Sequence, residues 1–177
     1  PRDIDNTTIV QRRTNEQSLQ VCVDDLSDGD GRAIYKESNF DLINYGRIKM
    51  FIHAEPNNGD ILSDNEINAF LRFGSDYENN YYEIELPLKI TRPSLIDQNS
   101  SNLARIIWPE ENEINLSIEE LLSLKSLRNR ENIDINSPFS KISSNGKYIL
   151  RIKGRPSIGS ILNLSLIHIS EPTRQIV

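Results

Sequence analysis

Hydrophobic and polar positions alternate along much of this chain, with a period of two rather than 3.6. Leu19, Val21 and Val23 alternate with Gln20, Cys22 and Asp24. Successive side chains of a strand point to opposite faces, so this pattern predicts a half-buried strand over residues 19–23. A shorter strand over residues 32–36 centres on Ile34. The clearest case follows: Ile48, Met50, Ile52 and Ala54 share one face, and Lys49, Phe51, His53 and Glu55 the other. Ile67, Ala69, Leu71 and Phe73 mark a strand over residues 66–73. Over residues 81–90, Tyr82, Ile84, Leu86 and Leu88 alternate with Tyr81, Glu83 and Glu85. Pro87 has no N–H for a ladder, which puts that strand at a sheet edge or a bulge. Tyr148, Leu150 and Ile152 oppose Ile149 and Arg151 over residues 147–153. Residues 103–108 form a weaker apolar run stopped by Pro109.

One segment changes to the helical period. Ser117 and Glu120 match a capping box, in which side chains satisfy the first free N–H groups of a helix. Ile118, Leu121, Leu122 and Lys125 follow helical spacing, and Leu124 and Leu127 widen the stripe. Arg128 and Arg130 complement the dipole at the C-terminal end. Polar turns fill residues 24–31, 41–46, 56–65, 74–80 and 91–102, and residues 133–144 read as irregular. The fold class is therefore mainly β: an antiparallel, jelly-roll-like β-sandwich with one short α-helix inserted near residues 117–130. Strands of a membrane barrel also alternate. The candidate outward faces lack aromatic girdles, however, and the helix and acidic loops suit a water-soluble module.

Residues 1–17 are polar, with Arg12 adjacent to Arg13, and read as a linker or the end of a preceding region. Residues 18–163 form the β-sandwich module of a larger protein. Residues 164–177 stand apart. Leu164-Ser-Leu-Ile-His-Ile-Ser-Glu-Pro-Thr-Arg174 resembles the in-frame translation of a transposon-type sequencing adapter, and is expected to be a non-native tail. Composition alone would favour a genuine apolar strand over residues 161–169, ending at Pro172. The adapter reading removes His168 from any site and leaves His53.

The 177 residues carry a formal net charge of −6 and a single cysteine, Cys22. One domain fits that length. Scattered Lys and Arg on an acidic chain argue against nucleic acid as the main partner. One cysteine excludes a disulfide framework and a multi-cysteine metal site. No apolar run approaches the ~18 residues of a transmembrane helix.

Candidate chemistry is sparse. Nucleophilic catalysis needs a base within reach of the nucleophile. His53 is the one native histidine, and it reads as a strand residue. Gly154-Arg-Pro-Ser157-Ile-Gly159 is one residue too long for a nucleophile elbow. Cys22 reads as a small buried hydrophobe. Asp24, Asp25, Asp28 and Asp30 suggest calcium, but Leu26 and Tyr35 break the EF-hand template. Glu55, Asp60, Asp64 and Glu66 form a second loose acidic set. Gly29-Asp-Gly31 leads into a strand and is too short for a dinucleotide fingerprint. Glu110, Glu111 and Glu113 read as a solvated loop before the helix rather than a glycosidase pair. Tyr77, Tyr81 and Tyr82, with Phe70 and Phe73, offer a stacking platform for sugars, and only one of Tyr81 and Tyr82 can face any given surface. No catalytic, cofactor-binding or metal residues are assigned, and the ligand-binding residues are unknown. The alternative function from these residues is a carbohydrate-binding jelly-roll module.

Several stretches in order carry a resemblance. They are Asn15-Glu-Gln-Ser-Leu19, Asp28-Gly-Asp-Gly-Arg-Ala-Ile-Tyr-Lys36, Lys49-Met-Phe-Ile-His-Ala-Glu55 and Asn68-Ala-Phe-Leu-Arg-Phe-Gly-Ser-Asp-Tyr77. Asn80-Tyr-Tyr-Glu-Ile-Glu-Leu-Pro-Leu88, Ile107-Trp-Pro-Glu-Glu-Asn-Glu113 and Lys153-Gly-Arg-Pro-Ser-Ile-Gly159 continue the series. Together they resemble the SprA family of gliding-motility cell-surface proteins, also called Sov, the outer-membrane translocon of the type IX secretion system. The resemblance implies an internal piece of a much longer protein. It implies a non-enzymatic role in exporting folded cargo, with a PorV-like shuttle protein and secreted cargo proteins as partners. The parent would lie in the outer membrane, at the cell surface, and this module on the periplasmic or extracellular side. The resemblance supplies no catalytic residues and no cofactor.

Overall fold

The computed structural model describes residues 4–5, 12–13, 19–24, 26–27, 29–57, 61–92 and 101–170. Among the described residues the chain runs through β1 (Ile4–Asp5), β2 (Arg12–Arg13), β3 (Gly31–Phe40), β4 (Arg47–Phe51), β5 (Asn68–Gly74) and β6 (Tyr81–Pro87). It continues through α1 (Leu103–Ile107), a 3-10 turn (Glu110–Asn112), β7 (Glu113–Ser117), α2 (Ile118–Arg130), β8 (Phe139–Ile142), β9 (Ile149–Lys153) and β10 (Ile161–Ser170). Every pairing is antiparallel. The main sheet has the order β3-β10-β5-β6-β9-β8, while β4 pairs with β7, and β1 with β2.

Period-two alternation builds the core. Ala69, Leu71 and Phe73 of β5, Tyr82, Ile84 and Leu86 of β6, and Leu150 and Ile152 of β9 line one face of the main sheet and are buried. Against that face lie Ile114 and Leu116 of β7, with Ile48 and Met50 of β4 half-buried beside them. Ile118, Leu121 and Leu124 of α2 complete the cluster. The result is two-layered and sandwich-like: a broad antiparallel sheet on one side, a two-stranded ribbon and one main helix on the other. Each buried Leu or Ile side chain contributes on the order of 1.5–3 kcal/mol through water removed from apolar surface.

Several expected elements differ in detail. Residues 19–23 alternate but form no strand: Val21 and Val23 are half-buried, and Leu19 and Cys22 are exposed. Alternation specifies which side of an extended segment is apolar; it does not by itself supply a partner strand. Strand β6 is not at an edge. It lies between β5 and β9, with Pro87 at its last position, opposite Asn68. Pairing with β9 ends at Glu85, so no ladder bond on that side asks for a Pro87 N–H. Beyond Pro87, Leu88 still exchanges backbone bonds with Ile67 and Asn65, and side-chain pairing takes over at Lys89 and Ile90. Buried Asn112 accepts from Lys89 N–H through Oδ1 and donates to the Lys89 carbonyl through Nδ2, both at 2.8 Å, as a neighbouring strand would. Asp64 Oδ1 accepts from Ile90 N–H at 2.9 Å.

The weak apolar run at residues 103–108 is the short helix α1. Strand β7 lies where a solvated loop was expected, and β8 lies within the irregular stretch. Helix α2 starts at the expected cap: Ser117 Oγ accepts from Glu119 N–H at 3.2 Å. The reciprocal half of the capping box is replaced, because Glu120 accepts from Ser144 N–H and ties the helix to the turn after β8. Leu122 falls outside the buried stripe and is exposed, whereas Arg128 is buried within it. Strand β10 runs across the boundary expected at Asn163, with register shifts against both β3 and β5.

Candidate interaction surfaces

Most of the described residues singled out for chemistry are held by neighbours that give them a local structural task. His53 is half-buried: its Nδ1 lies 2.7 Å from the Ile107 carbonyl and its Nε2 3.4 Å from Glu55. Trp108 meets the His53 ring edge-on at 5.7 Å. The histidine thus ties the C-terminal end of α1 to the non-strand segment after β4, which ends at Phe51 although alternation predicts a strand through Glu55. Cys22 is a free, exposed thiol, contrary to the expected buried one.

Asp24 accepts from Asn57 Nδ2 at 2.8 Å, and Asp30 pairs with Arg32 at 3.5 Å. Asp25, Asp28 and Asp60 lie outside the described residues. In the second acidic set, Asp64 accepts from Ile90 N–H and Glu66 from Ser63 N–H at 2.6 Å. Glu111 pairs with Lys89 at 2.8 Å and Glu113 with Lys49 at 3.1 Å. Glu110 offers its carbonyl to Lys147 Nζ at 2.7 Å. Ser157 Oγ accepts from Gly159 N–H at 3.2 Å, which closes a turn. Among the described residues, no three His, Cys, Asp or Glu side chains gather in a way that could hold a metal ion.

The tyrosine platform does not form an open surface. Tyr81 is 6% and Tyr82 0% exposed. Arg72 lies over the Tyr81 ring at 4.1 Å, and Tyr77 packs against Tyr35 at 3.9 Å. The Tyr82 hydroxyl is buried without a hydrogen-bond partner among the described residues, and burial pushes its pKa up to about 12.

Two features escaped the sequence reading. The first is an ionic ladder on the face of the main sheet opposite the core. Alternation places Glu83 and Glu85 of β6 on this face between Arg72 of β5 and Arg151 of β9. Glu83 is 2% exposed; it takes Arg72 at 2.6 Å on one carboxylate oxygen and Arg151 at 2.6 Å on the other. Arg151 also pairs with Glu85, which accepts from Asn68 Nδ2 at 2.5 Å. Burial works against the Arg151 charge, but the bonds and field of Glu83 and Glu85 outweigh it and raise its pKa. Two acids and two arginines cancel, which is the condition for burying charge without a large penalty. Glu83 and Arg151 stand directly opposite in the register, a cross-strand signal that could have been found once β6 and β9 were paired.

The second is the edge of β7. Tyr148 Oη donates to the Glu113 carbonyl at 2.9 Å and accepts from Asn115 N–H at 2.9 Å. Lys147 Nζ donates to the same Glu113 carbonyl at 2.6 Å. Side chains of Lys147 and Tyr148, just before β9, therefore cap one edge of the β4–β7 ribbon and join the layers. On the outer face of that ribbon lie Arg47, Lys49 and Phe51, with Phe51 48% exposed, and Trp108 is 41% exposed.

The architecture defines the class: a strand-rich, antiparallel, sandwich-like domain with a charged outer face. A family model described as motility related/secretion protein, SprA_N, matches residues 1–176, and the chain belongs to that family. No curated protein matches the chain. Among the described residues no helix is long and apolar enough to cross a membrane.

Proposed function

We propose that this domain is a non-catalytic module of a type IX secretion outer-membrane translocon, where it supports export of folded cargo and gliding motility. The family match over residues 1–176 carries the reading. In this reading the parent protein lies in the outer membrane at the cell surface, and the module faces the periplasm or the exterior. Its partners are a PorV-like shuttle and secreted cargo, with no nucleic acid.

The native module spans residues 18–163 in this reading, residues 1–17 lead into it, and residues 164–177 are foreign. Recovery of the complete gene tests both parts. The expected result is codons across residues 164–174 that match the adapter, and a genomic reading frame that continues past residue 163 into barrel-coding sequence. A frame that closes soon after Ser160, or native codons across the tail that differ from the adapter, contradicts the corresponding part.

A further inference from the structure

We infer that the free edge of β4 is a docking site for an extended, acidic segment of a partner polypeptide, which adds to the β4–β7 ribbon as a third strand. The ladder itself gives the direction of the free groups. In an antiparallel pair, opposed residues alternate between exchanging both backbone bonds and pointing both groups away. Lys49 opposes Asn115 and Phe51 opposes Glu113. Asn115 N–H and the Glu113 carbonyl turn away from β4, because Tyr148 Oη holds both. Lys49 and Phe51 therefore turn their N–H and C=O groups away from β7, toward the other edge. Groups of the opposite parity point inward, as the bond from Ile118 N–H to the Gly46 carbonyl at 3.1 Å shows. Among the described residues, no backbone hydrogen bond reaches the outward groups of Lys49 or Phe51. One edge of the ribbon is capped by side chains; the other, among the described residues, presents unpaired backbone, the template for strand addition.

Charge selects the occupant. Arg47 and Lys49 flank the free groups. Glu113 answers Lys49 at 3.1 Å. Arg47 bonds only the Asn115 side chain and carbonyl, at 2.7 and 3.0 Å, and among the described residues no carboxylate pairs with it. A second copy of the chain added antiparallel about Lys49 would set Lys49 against Lys49 of the copy, and like charges directly opposed disfavour pairing. An incoming strand with carboxylates opposite Arg47 and Lys49 meets the reverse condition. An apolar residue two positions along would meet Phe51, which is 48% exposed. The proposal uses only this edge and stands apart from the translocon reading.

The test is titration of the 177-residue chain with a synthetic nine-residue peptide whose one strand face carries Val and two Glu at alternate positions, with Thr between them, so that the Glu pair can oppose Arg47 and Lys49 and the Val can oppose Phe51, followed by amide hydrogen exchange. The controls are the same peptide with Lys in place of Glu, and a version with N-methylated backbone on its pairing edge. The expected result is binding of the acidic peptide with new protection of the Lys49 and Phe51 amides, and affinity lower by about tenfold or more for both controls. Lys49→Pro removes an outward N–H but no bond to β7, and Arg47→Glu reverses charge without touching the backbone; each should weaken binding similarly. Absent binding, equal binding of the basic or N-methylated peptide, protection elsewhere, or self-association through β4 would overturn the inference.

Discussion

Tyr82 and Glu83 are neighbours in sequence and illustrate opposite ways to bury a polar group. The Tyr82 hydroxyl sits in the core without a partner among the described residues, and burial raises its pKa from about 10 to about 12. The unfolded chain ionises this phenol first. Stability is therefore intact below about pH 10 and falls as pH rises toward 12, by up to ~2 kcal/mol from this group. Tyr82→Phe should remove that part of the alkaline loss and cost little at neutral pH, since no hydrogen bond is broken. Thermal melts of both proteins from pH 8 to 12 check this; parallel curves would contradict it. Glu83 is buried with both oxygens paired. Glu83→Gln leaves Arg72 and Arg151 without their shared anion, and should destabilise by about 3 kcal/mol or more in urea unfolding. A change below ~1 kcal/mol would show that the arginines find other partners.

The elements that could be read from the pattern are those whose alternation meets a paired neighbour. Strands β5, β6 and β9 were legible because Ala69, Leu71, Phe73, Ile84, Leu86, Leu150 and Ile152 repeat at two-residue spacing and pack on one core. Residues 19–23 show the same spacing without a ladder, so the pattern overcalls there. Strand β7 alternates Ile114 and Leu116 with Glu113, Asn115 and Ser117 but runs straight into the α2 cap at Ser117, so it reads as the approach to the helix; β8 is exposed along most of its length and has no apolar face to read. The ionic ladder stayed hidden because strand order was unknown: Arg72, Glu83 and Arg151 are scattered in sequence and meet only through pairing. The Tyr148 clamp likewise joins residues 33 and 35 apart in the chain. Tyr148→Phe leaves the Asn115 N–H unpaired and weakens the joint between layers. It should cost ~1–3 kcal/mol and speed exchange of the Asn115 amide; unchanged exchange would show that the hydroxyl does not hold the edge. Ser117→Ala removes the α2 cap and should cost about 1 kcal/mol, read by denaturant melts.

For the molecule as a whole, the acidic composition and absence of cysteine pairs described a simple domain, and the fold shows how that domain is held. A broad sheet carries the ribbon and α2 on its core face and neutralised charge on the other. Membership in the motility and secretion family places this architecture in a biological setting, and the proposed role makes the module part of an export machine rather than a catalyst. The most direct measurement is secretion from cells whose parent gene lacks, in frame, the segment encoding residues 18–163, with outer-membrane levels of the remaining protein checked in parallel. The account predicts that cargo accumulates in the periplasm and gliding stops while the truncated protein still reaches the outer membrane; normal secretion and gliding from that strain would contradict it.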